Sequence, residues 1–197
     1  NKGFSESTGE ILAWLNSDDT YLPNVLHSVV IFFKKYPNAD MLYGRCNVID
    51  SNERIFQEMK VMPFNLLDCV YGLFNVPQQT AFWRRDIFFK VGMLNTENHT
   101  CMDRELWVNF AKSKANIIYV DMFLANYRLH NQSKLCSGKY SNQSERDKMR
   151  IQYDVLGYFP SYSRIFLRNL SCLMRHPIHY IRYYLSILYK GRCRTVR

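Results

Sequence analysis

The stretch that decides the fold is Glu10-Ile-Leu-Ala-Trp-Leu-Asn-Ser-Asp-Asp19. Its apolar residues predict a buried strand over residues 10–16, whose carboxyl end opens at Ser17-Asp18-Asp19. Two adjacent carboxylates at the end of a buried strand are unfavourable unless a cation lies beside them. A Mg²⁺ or Mn²⁺ ion that bridges a diphosphate would meet this need, because hard cations take oxygen ligands. On the dipeptide alone, a simpler interpretation is favoured, in which Asp19 caps the helix that follows.

A helix and two strands are predicted immediately after this stretch. Pro23 suits the first turn of a helix, and the apolar residues around it have helical spacing, which predicts that one face packs on a core. These residues are Leu22, Val25, Leu26, Val29, Val30 and Phe33. Pro37 ends the helix, and two strands are predicted at residues 40–50 and 54–59, joined by a turn at Ser51-Asn52.

Short helices and strands continue to alternate as far as residue 130. The pattern predicts further helices at 64–70, at 85–91 and from Asp103, and strands at 80–83, 116–120 and 123–129. Residues 131–142 are polar, and three helices broken near Pro160 and Pro177 follow them. We therefore predict an α/β part over residues 1–140 and a basic, amphipathic helical tail over residues 141–197.

Several single positions could carry chemistry. Asp103 stands at a predicted helix start, four residues before Trp107, so its side chain lies on the inward side. There it could act as a general base on a hydroxyl group, although a helix cap is at least as frequent. His130 could bind a metal or a diphosphate, and Arg128 could pair with phosphate. A solvent-exposed histidine is the commoner outcome at a strand end, and Gln79 alone is an ordinary loop residue.

The formal charge of +9 is concentrated at the C-terminus. From residue 157 to the end there are eight Lys or Arg residues and no Asp or Glu, which indicates an anionic partner. The interleaved aromatic and aliphatic residues suit a helix on an anionic membrane surface better than a solvated face or a nucleic-acid patch. The sequence contains no zinc finger or RNP motif, so we expect no nucleic-acid partner.

The composition also bears on the location of the protein. The longest uncharged stretch, residues 69–83, is too short and too polar to cross a bilayer, and the first residues do not resemble a signal peptide. The first residue is not Met, so we expect the chain to begin within a longer protein. Six scattered cysteines without a Cys-x-x-Cys pair favour reduced, mostly buried thiols over a zinc site or a disulfide framework. We expect a cytoplasmic protein, peripheral on the inner membrane face.

Several segments follow one another in a fixed order over about residues 1–135. The first are Asn1-Lys2-Gly3, Ser7-Thr8-Gly9-Glu10 and Trp14-Leu15-Asn16-Ser17-Asp18-Asp19, followed by Tyr43-Gly44 and by Gln79-Thr80-Ala81-Phe82-Trp83-Arg84-Arg85 with Val91-Gly92. The last are Met102-Asp103-Arg104-Glu105-Leu106-Trp107 and Ala125-Asn126-Tyr127-Arg128-Leu129-His130 with Ser133. In this order they resemble the family-2 glycosyltransferases: the run through the metal-binding acidic motif, the next strand, the acceptor-side segment, the stretch with the catalytic base and the closing motif.

The resemblance implies both a fold and a site. The fold is GT-A-like α/β, with a mixed, mostly parallel sheet flanked by helices, without the family's N-terminal nucleotide-binding half and with a C-terminal helical tail. Asp19 and His130 would hold a divalent metal, Mn²⁺ or Mg²⁺, and Asp103 would be the catalytic base. The remaining site residues would be Asn1, Gly3, Asp18 and Arg128 toward the donor, and Gln79, Arg85 and Trp107 toward the acceptor.

The expected function is inverting transfer of a sugar from a nucleotide-sugar donor to a glycan or lipid-linked acceptor, in surface polysaccharide or lipopolysaccharide assembly. The alternative is a non-catalytic membrane- or nucleic-acid-binding basic module on a degenerate glycosyltransferase fold. The missing N-terminal half favours the module for this chain alone, whereas the retained aspartates and His130 favour the enzyme. Arg45 and Asn109 stand where the family often has an acid and an arginine, which leaves donor and acceptor open.

Overall fold

The computed structural model describes residues 1–74, 76–130 and 140–191, with side chains in the last helix as far as residue 188. Helices and strands alternate along the first part, as the sequence predicts. The helices are α1 (Lys2–Glu6), α2 (Val25–Lys35), α3 (Leu66–Val70), α4 (Arg85–Lys90), α5 (Met102–Lys112), α6 (Ser141–Leu156), α7 (Tyr162–Arg175) and α8 (Pro177–Gly191). The strands are β1 (Ile11–Leu12), β2 (Thr20–Tyr21), β3 (Met41–Ile49), β4 (Ile55–Glu58), β5 (Phe82–Arg84) and β6 (Ile117–Arg128).

The described strands form one mixed sheet in the order β1-β5-β3-β6-β2, with β4 also paired to β3. Strands β3 and β6 run parallel, from the pair Met41 and Ile117 to the pair Ile49 and Arg128. The other pairs are antiparallel, so the expectation of a mostly parallel sheet is correct only for the two longest strands. Strand β4, for example, follows β3 after a turn at residues 50–54, and such a short connection allows only antiparallel pairing.

Strand β6 is continuous where the sequence predicts two strands, at 116–120 and 123–129. Its pairing with β3 shifts between the pair Tyr43–Tyr119 and the pair Arg45–Phe123, so residues 120–122 form a bulge. Gly44 lies opposite this bulge, where a Cβ atom would come within 2.6 Å of the Met122 carbonyl oxygen. The gap between the two predicted strands is therefore a bulge within one strand.

Two local predictions hold only in part. The strand predicted over residues 10–16 is limited to β1, which pairs with β5. Helix α2 buries Val25, Val29 and Phe33, as predicted, but Leu26 is 58% exposed. A single row at i, i+4 and i+8 is enough to cover this side of the sheet, so the wider apolar face predicted for α2 is wrong.

The helical tail shares the larger apolar core with the sheet. Ile151 of α6, Cys172 of α7 and Tyr180 of α8 are buried in the same cluster as Trp83 and Trp107. Burial of the Ile151 side chain alone contributes about 1.5–3 kcal/mol. The composition of the chain changes near residue 140, but the core is continuous across that point. The domain boundary predicted there remains a prediction.

A buried carboxylate on α3 fixes helix α7. The Asp68 side chain is 1% exposed, and it accepts hydrogen bonds from Arg168 Nε at 2.6 Å and Arg175 Nη2 at 2.7 Å. Arg168 also donates to Asn65 Oδ1 at 2.7 Å, and the same oxygen caps the start of α3. These two arginines of the basic tail therefore neutralise an acid of the α/β part.

The outward face of the tail is apolar. Arg182 of α8 lies 2.6 Å from the carboxylate of Asp121 in the β6 bulge, so this charge also meets an internal partner. The exposed apolar residues of α7 and α8 include Phe166, Leu167, Leu170, Met174, Ile178, Ile181, Leu185 and Leu188. In the part of the chain that the structure describes, no helix is long and apolar enough to span a membrane.

The described cysteines match their prediction. Cys46, Cys69, Cys101 and Cys172 are free and buried. The other two, Cys136 and Cys193, and Ser133 of the closing motif lie outside the described residues.

Replacement of Asp68 by Asn is expected to lower the free energy of unfolding by about 3 kcal/mol, because two arginines lose a buried counterion. The matched control is Asp121→Asn, since that carboxylate also binds an arginine but is 47% exposed. Loss of an exposed pair costs less than about 1 kcal/mol. Urea unfolding followed by tryptophan fluorescence measures both variants, and equal effects would contradict the anchoring role of Asp68.

Candidate active site

The acidic motif ends in a buried carboxylate. Asp19 is 5% exposed; its Oδ1 accepts a hydrogen bond from the Arg128 backbone amide at 2.9 Å, and its Oδ2 accepts one from Asn16 Nδ2 at 3.1 Å. Burial raises the pKa of Asp19, and these hydrogen bonds oppose the rise. Helix α2 has Asn24 at its N-cap position, so the interpretation of Asp19 as a helix cap is wrong.

Asp18 lies at the surface and faces His130. Its Oδ2 is 3.0 Å from His130 Nε2, and each side chain is about one third exposed. The two residues are 112 positions apart in the sequence. They meet because β2 pairs with the end of β6, where Thr20 stands opposite Asn126.

The side chain of Arg128 fixes the turn that carries the two aspartates. Its Nε donates to the Asp18 carbonyl oxygen at 2.9 Å, and its Nη1 donates to the Asp50 carbonyl oxygen at 3.1 Å. Its Nη2 lies 3.1 Å from the exposed carboxylate of Glu53. The observed contacts of this guanidinium position the backbone, whereas its contact with a donor phosphate stays a prediction.

A short 3₁₀ turn at Gln78–Thr80 supports the same group. Gln78 accepts a hydrogen bond from Asn16 Nδ2 at 3.2 Å and donates to the Trp14 carbonyl oxygen. The side chain of Gln79 hydrogen-bonds Asp19. Sequence reasoning missed the functional place of Gln78, because its partner Asn16 is 62 positions away and no local pattern connects them.

A cavity of about 290 Å³ extends from Asn16 and Gln79 to Asp103. Asp103 lies in the first turn of α5, where its Oδ1 accepts a hydrogen bond from the Arg104 backbone amide at 2.8 Å. Burial raises the pKa of Asp103. Cys101 occupies the N-cap position of α5, so the interpretation of Asp103 as an N-cap is wrong as well.

The predicted site residues fall into three groups. Asp18, Asp19, Arg128 and His130 are linked by hydrogen bonds, and Gln79, Asp103 and Trp107 line the cavity beside them. Asn1 and Gly3 lie in a separate groove of about 410 Å³, and Asn1 Nδ2 donates to the Leu94 carbonyl oxygen at 2.8 Å. Arg85 lines neither the cavity nor the groove, but it donates to Ser7 Oγ of the groove at 3.0 Å.

The family model described as glycosyl transferase family 2 matches residues 1–102 of the 197 in the chain. The chain belongs to this family. The resemblance inferred from the sequence motifs is therefore confirmed. No curated protein sequence matches the chain significantly.

Two solved structures are similar to this family-2 chain. A crystal structure of S. aureus TarS residues 1–349 aligns with a TM-score of 0.54 and 18% identity, over 84% of this chain and 46% of that one. A second crystal structure of S. aureus TarS aligns with a TM-score of 0.49 and 16% identity, over 79% and 30%. The chain thus spans less than half the length of these proteins. The likeness to the first confirms the predicted class, part of a GT-A-like α/β fold with a C-terminal helical region.

The side chains at the acidic motif suit a divalent cation chemically. Among the described residues, no group of three or more His, Cys, Asp or Glu side chains could hold a metal ion by itself. Asp18 and His130 nevertheless offer an oxygen and a nitrogen at 3.0 Å from each other, and Asp19 adds a second carboxylate to the motif. Hard divalent cations often bind one or two carboxylates and complete their coordination with substrate phosphates. The residues therefore fit a cation that is shared with a diphosphate.

Trp107 belongs to the core as well as to the cavity wall. It is 1% exposed, stacks on Trp14 with ring centroids 6.3 Å apart, and meets Trp83 in an edge-on arrangement at 5.4 Å. Its packing therefore fixes α5, and with it Asp103, relative to the acidic motif. Direct contact between Trp107 and an acceptor stays a prediction.

Replacement of Trp107 by Ala is expected to lower the free energy of unfolding by about 3–5 kcal/mol, because it leaves a cavity among the rings of Trp14, Trp83 and Phe110. The control is Phe166→Ala, since Phe166 is 67% exposed on α7 and its loss should change stability by less than about 0.5 kcal/mol. Thermal unfolding followed by circular dichroism distinguishes the two. A Trp107→Ala variant as stable as the control would mean that the ring is not a structural element.

Proposed function

We propose that the protein is an inverting glycosyltransferase that moves a sugar from a nucleotide-sugar donor to a glycan or lipid-linked acceptor. One observation carries the proposal: a hydrogen-bonded group with Asp18, Asp19 and His130 adjoins a cavity that contains Asp103. Membership of glycosyl transferase family 2 supports the same reaction class. A degenerate binding module would not need the acidic motif and Asp103 to lie on either side of one cavity.

The acidic motif is the proposed donor end. Asp18, Asp19 and His130 would hold a divalent metal, Mn²⁺ or Mg²⁺, and the bound metal would supply Lewis-acid stabilisation of the negative charge on the diphosphate. The buried hydrogen bonds of Asp19 fix the turn, so that Asp18 and His130, each about one third exposed, stay oriented toward the donor. Arg128 positions this turn through the Asp18 carbonyl oxygen. Asn1 and Gly3 contribute to donor binding only if the donor also reaches their groove.

Asp103 is the proposed catalytic base. Burial raises the pKa of Asp103 from the ordinary value of a carboxyl group, and a carboxylate with a higher pKa is a better proton acceptor. The acceptor hydroxyl transfers its proton to Asp103 while its oxygen attacks the anomeric carbon. The bond from that carbon to the diphosphate oxygen breaks on the opposite face, and its electron pair leaves with the nucleoside diphosphate. This single displacement inverts the anomeric configuration.

A peripheral position on an anionic membrane surface is the proposed location, in the assembly of a surface polysaccharide or lipopolysaccharide. The exposed apolar face of α7 and α8 supports insertion into the headgroup region. No Asp or Glu follows residue 157 in the sequence. Of the eight Lys or Arg residues there, Arg168, Arg175 and Arg182 bind internal acids, so the proposed contact with anionic lipid rests on the other five.

The central experiment measures release of nucleoside diphosphate by the full-length protein from UDP-, GDP- and dTDP-sugars, with Mn²⁺, Mg²⁺ or EDTA. We expect one donor to be cleaved in a metal-dependent manner. Asp18→Ala and Asp19→Ala should abolish this release, because both remove carboxylates of the metal site. Asp103→Asn should lower the rate of this release by about 10²–10⁴-fold, the usual contribution of a general base.

The matched control for these substitutions is Asp86→Asn, which removes an exposed carboxylate from α4 and should leave the activity unchanged. Release that is insensitive to EDTA would contradict the proposed requirement for a divalent metal. The absence of release from every donor, together with the absence of metal-dependent nucleotide binding, would favour the degenerate binding module.

Flotation with liposomes tests the membrane proposal. The protein should float with vesicles that contain anionic phospholipid, and the double substitution Phe166→Asp and Ile181→Asp should abolish flotation, because it places charge in the apolar face. Ile31→Asp is the control, since Ile31 is also exposed and apolar but lies on α2. Failure of the wild type to bind anionic vesicles at low salt would rule out this role for the tail.

A further inference from the structure

The direction of the Asp103 carboxylate is set by the backbone at the start of α5. Its oxygens accept hydrogen bonds from backbone amides, including the Arg104 amide at 2.8 Å. In the part of the chain that the structure describes, no side chain donates a hydrogen bond to this carboxylate. A general base must lie within reach of the proton that it accepts. The orientation of the first turn of α5 therefore decides where the proposed base points.

Glu105, two residues after Asp103, ties this turn to the loop that precedes it. Its Oε1 accepts a hydrogen bond from Asn95 Nδ2 at 3.0 Å, and its Oε2 accepts one from Asn98 Nδ2 at 2.5 Å. Asn98 is fully buried, and its Oδ1 accepts a hydrogen bond from the amide of Cys101, the N-cap residue of α5, at 2.9 Å. One carboxylate therefore fixes both the loop and the start of the helix.

The first helix of the tail, α6, binds the same segment. Arg150 Nη2 donates to Glu105 Oε2 at 2.9 Å. Asp147, three residues before Arg150, is buried and accepts a hydrogen bond from Thr100 Oγ1 at 2.6 Å. Thr100 precedes Asp103 in the sequence and Glu105 follows it, so α6 holds the chain on both sides of the proposed base.

Glu105 is placed to influence the site only indirectly. Asp103 and Arg104 line the cavity, and Glu105 does not. Residues two positions apart on a helix point about 200° away from each other around its axis, so the Glu105 carboxylate and the Asp103 carboxylate face different surroundings. Any effect of Glu105 on the reaction must therefore pass through the backbone that carries Asp103.

We propose that Glu105 is a positioning residue for the proposed base, and that Arg150 of the tail completes the contacts by which it holds Asp103 in place. This inference rests on the proposed glycosyltransferase function, in which Asp103 accepts the proton of the acceptor hydroxyl. It makes α6 part of the catalytic unit, although the change of composition near residue 140 predicts a separate tail.

The test measures the steady-state release of nucleoside diphosphate by the full-length protein from the donor that it cleaves. E105Q keeps the size of the side chain but has one acceptor oxygen in place of two, so contacts to the loop or to α6 are lost. We expect kcat to fall about 10–100-fold, because a displacement of about 1 Å can cost a catalytic group this much. The donor KM should stay close to that of the wild type. R150A removes one of the three donors, and it should lower kcat in the same way but less.

The matched control is E58Q. The Glu58 side chain is 19% exposed, close to the 17% of Glu105, and it also pairs with an arginine, Arg45, at 2.6 Å. Urea unfolding should therefore show a similar loss of stability in E58Q and E105Q, whereas E58Q should leave kcat unchanged. A wild-type kcat in E105Q, or an equal fall of kcat in E58Q, would overturn the positioning role.

A double-mutant cycle with D103N separates positioning from general damage. If Glu105 acts through the Asp103 carboxylate, E105Q should have almost no further effect on kcat once D103N is present. A full additional fall in the double variant would also overturn the inference. Failure of the proposed function is distinguishable, because D103N alone would then leave the release of nucleoside diphosphate unchanged.

Discussion

The buried carboxylate of Asp19 is the contact on which the arrangement of the site depends. It joins the turn after β1 to the last residue of β6 through the Arg128 amide, and to the 3₁₀ turn through Gln79. An unpaired carboxylate at this depth would be strongly unfavourable, so the three segments must close together. The same closure brings Asp18 to His130, and it places the wall of the cavity against the acidic motif.

Local patterns in the sequence predict much of this fold. Helices α2 and α5 and the three tail helices were predicted from spacing and from proline positions. The acidic motif was predicted at the end of a strand over residues 10–16, whereas in the structure it directly precedes β2. The sequence could not predict that β6 continues through a bulge at residues 120–122, because that depends on the close approach to Gly44. It also could not predict that Arg168 and Arg175 turn inward, since their partner Asp68 is about a hundred positions away.

The same distinction applies to the site. Asp18, Asp19 and Asp103 belong to recognisable motifs, and their placement shows that neither Asp19 nor Asp103 is an ordinary helix cap. Gln78 and Arg150 have no motif, because their positions depend on packing between distant elements. The tail is the clearest example: its arginines bind acids of the α/β part, its outer face is apolar, and its first helix reaches the cavity.

The most direct test of the account is the stereochemistry of transfer. Proton NMR of the first product, recorded with the full-length protein and the donor that it cleaves, gives the anomeric configuration before any later exchange. If Asp103 is the base of a single displacement, the product has the anomeric configuration opposite to that of the donor. A product with the donor's configuration would contradict the assignment of Asp103 as the base of an inverting reaction.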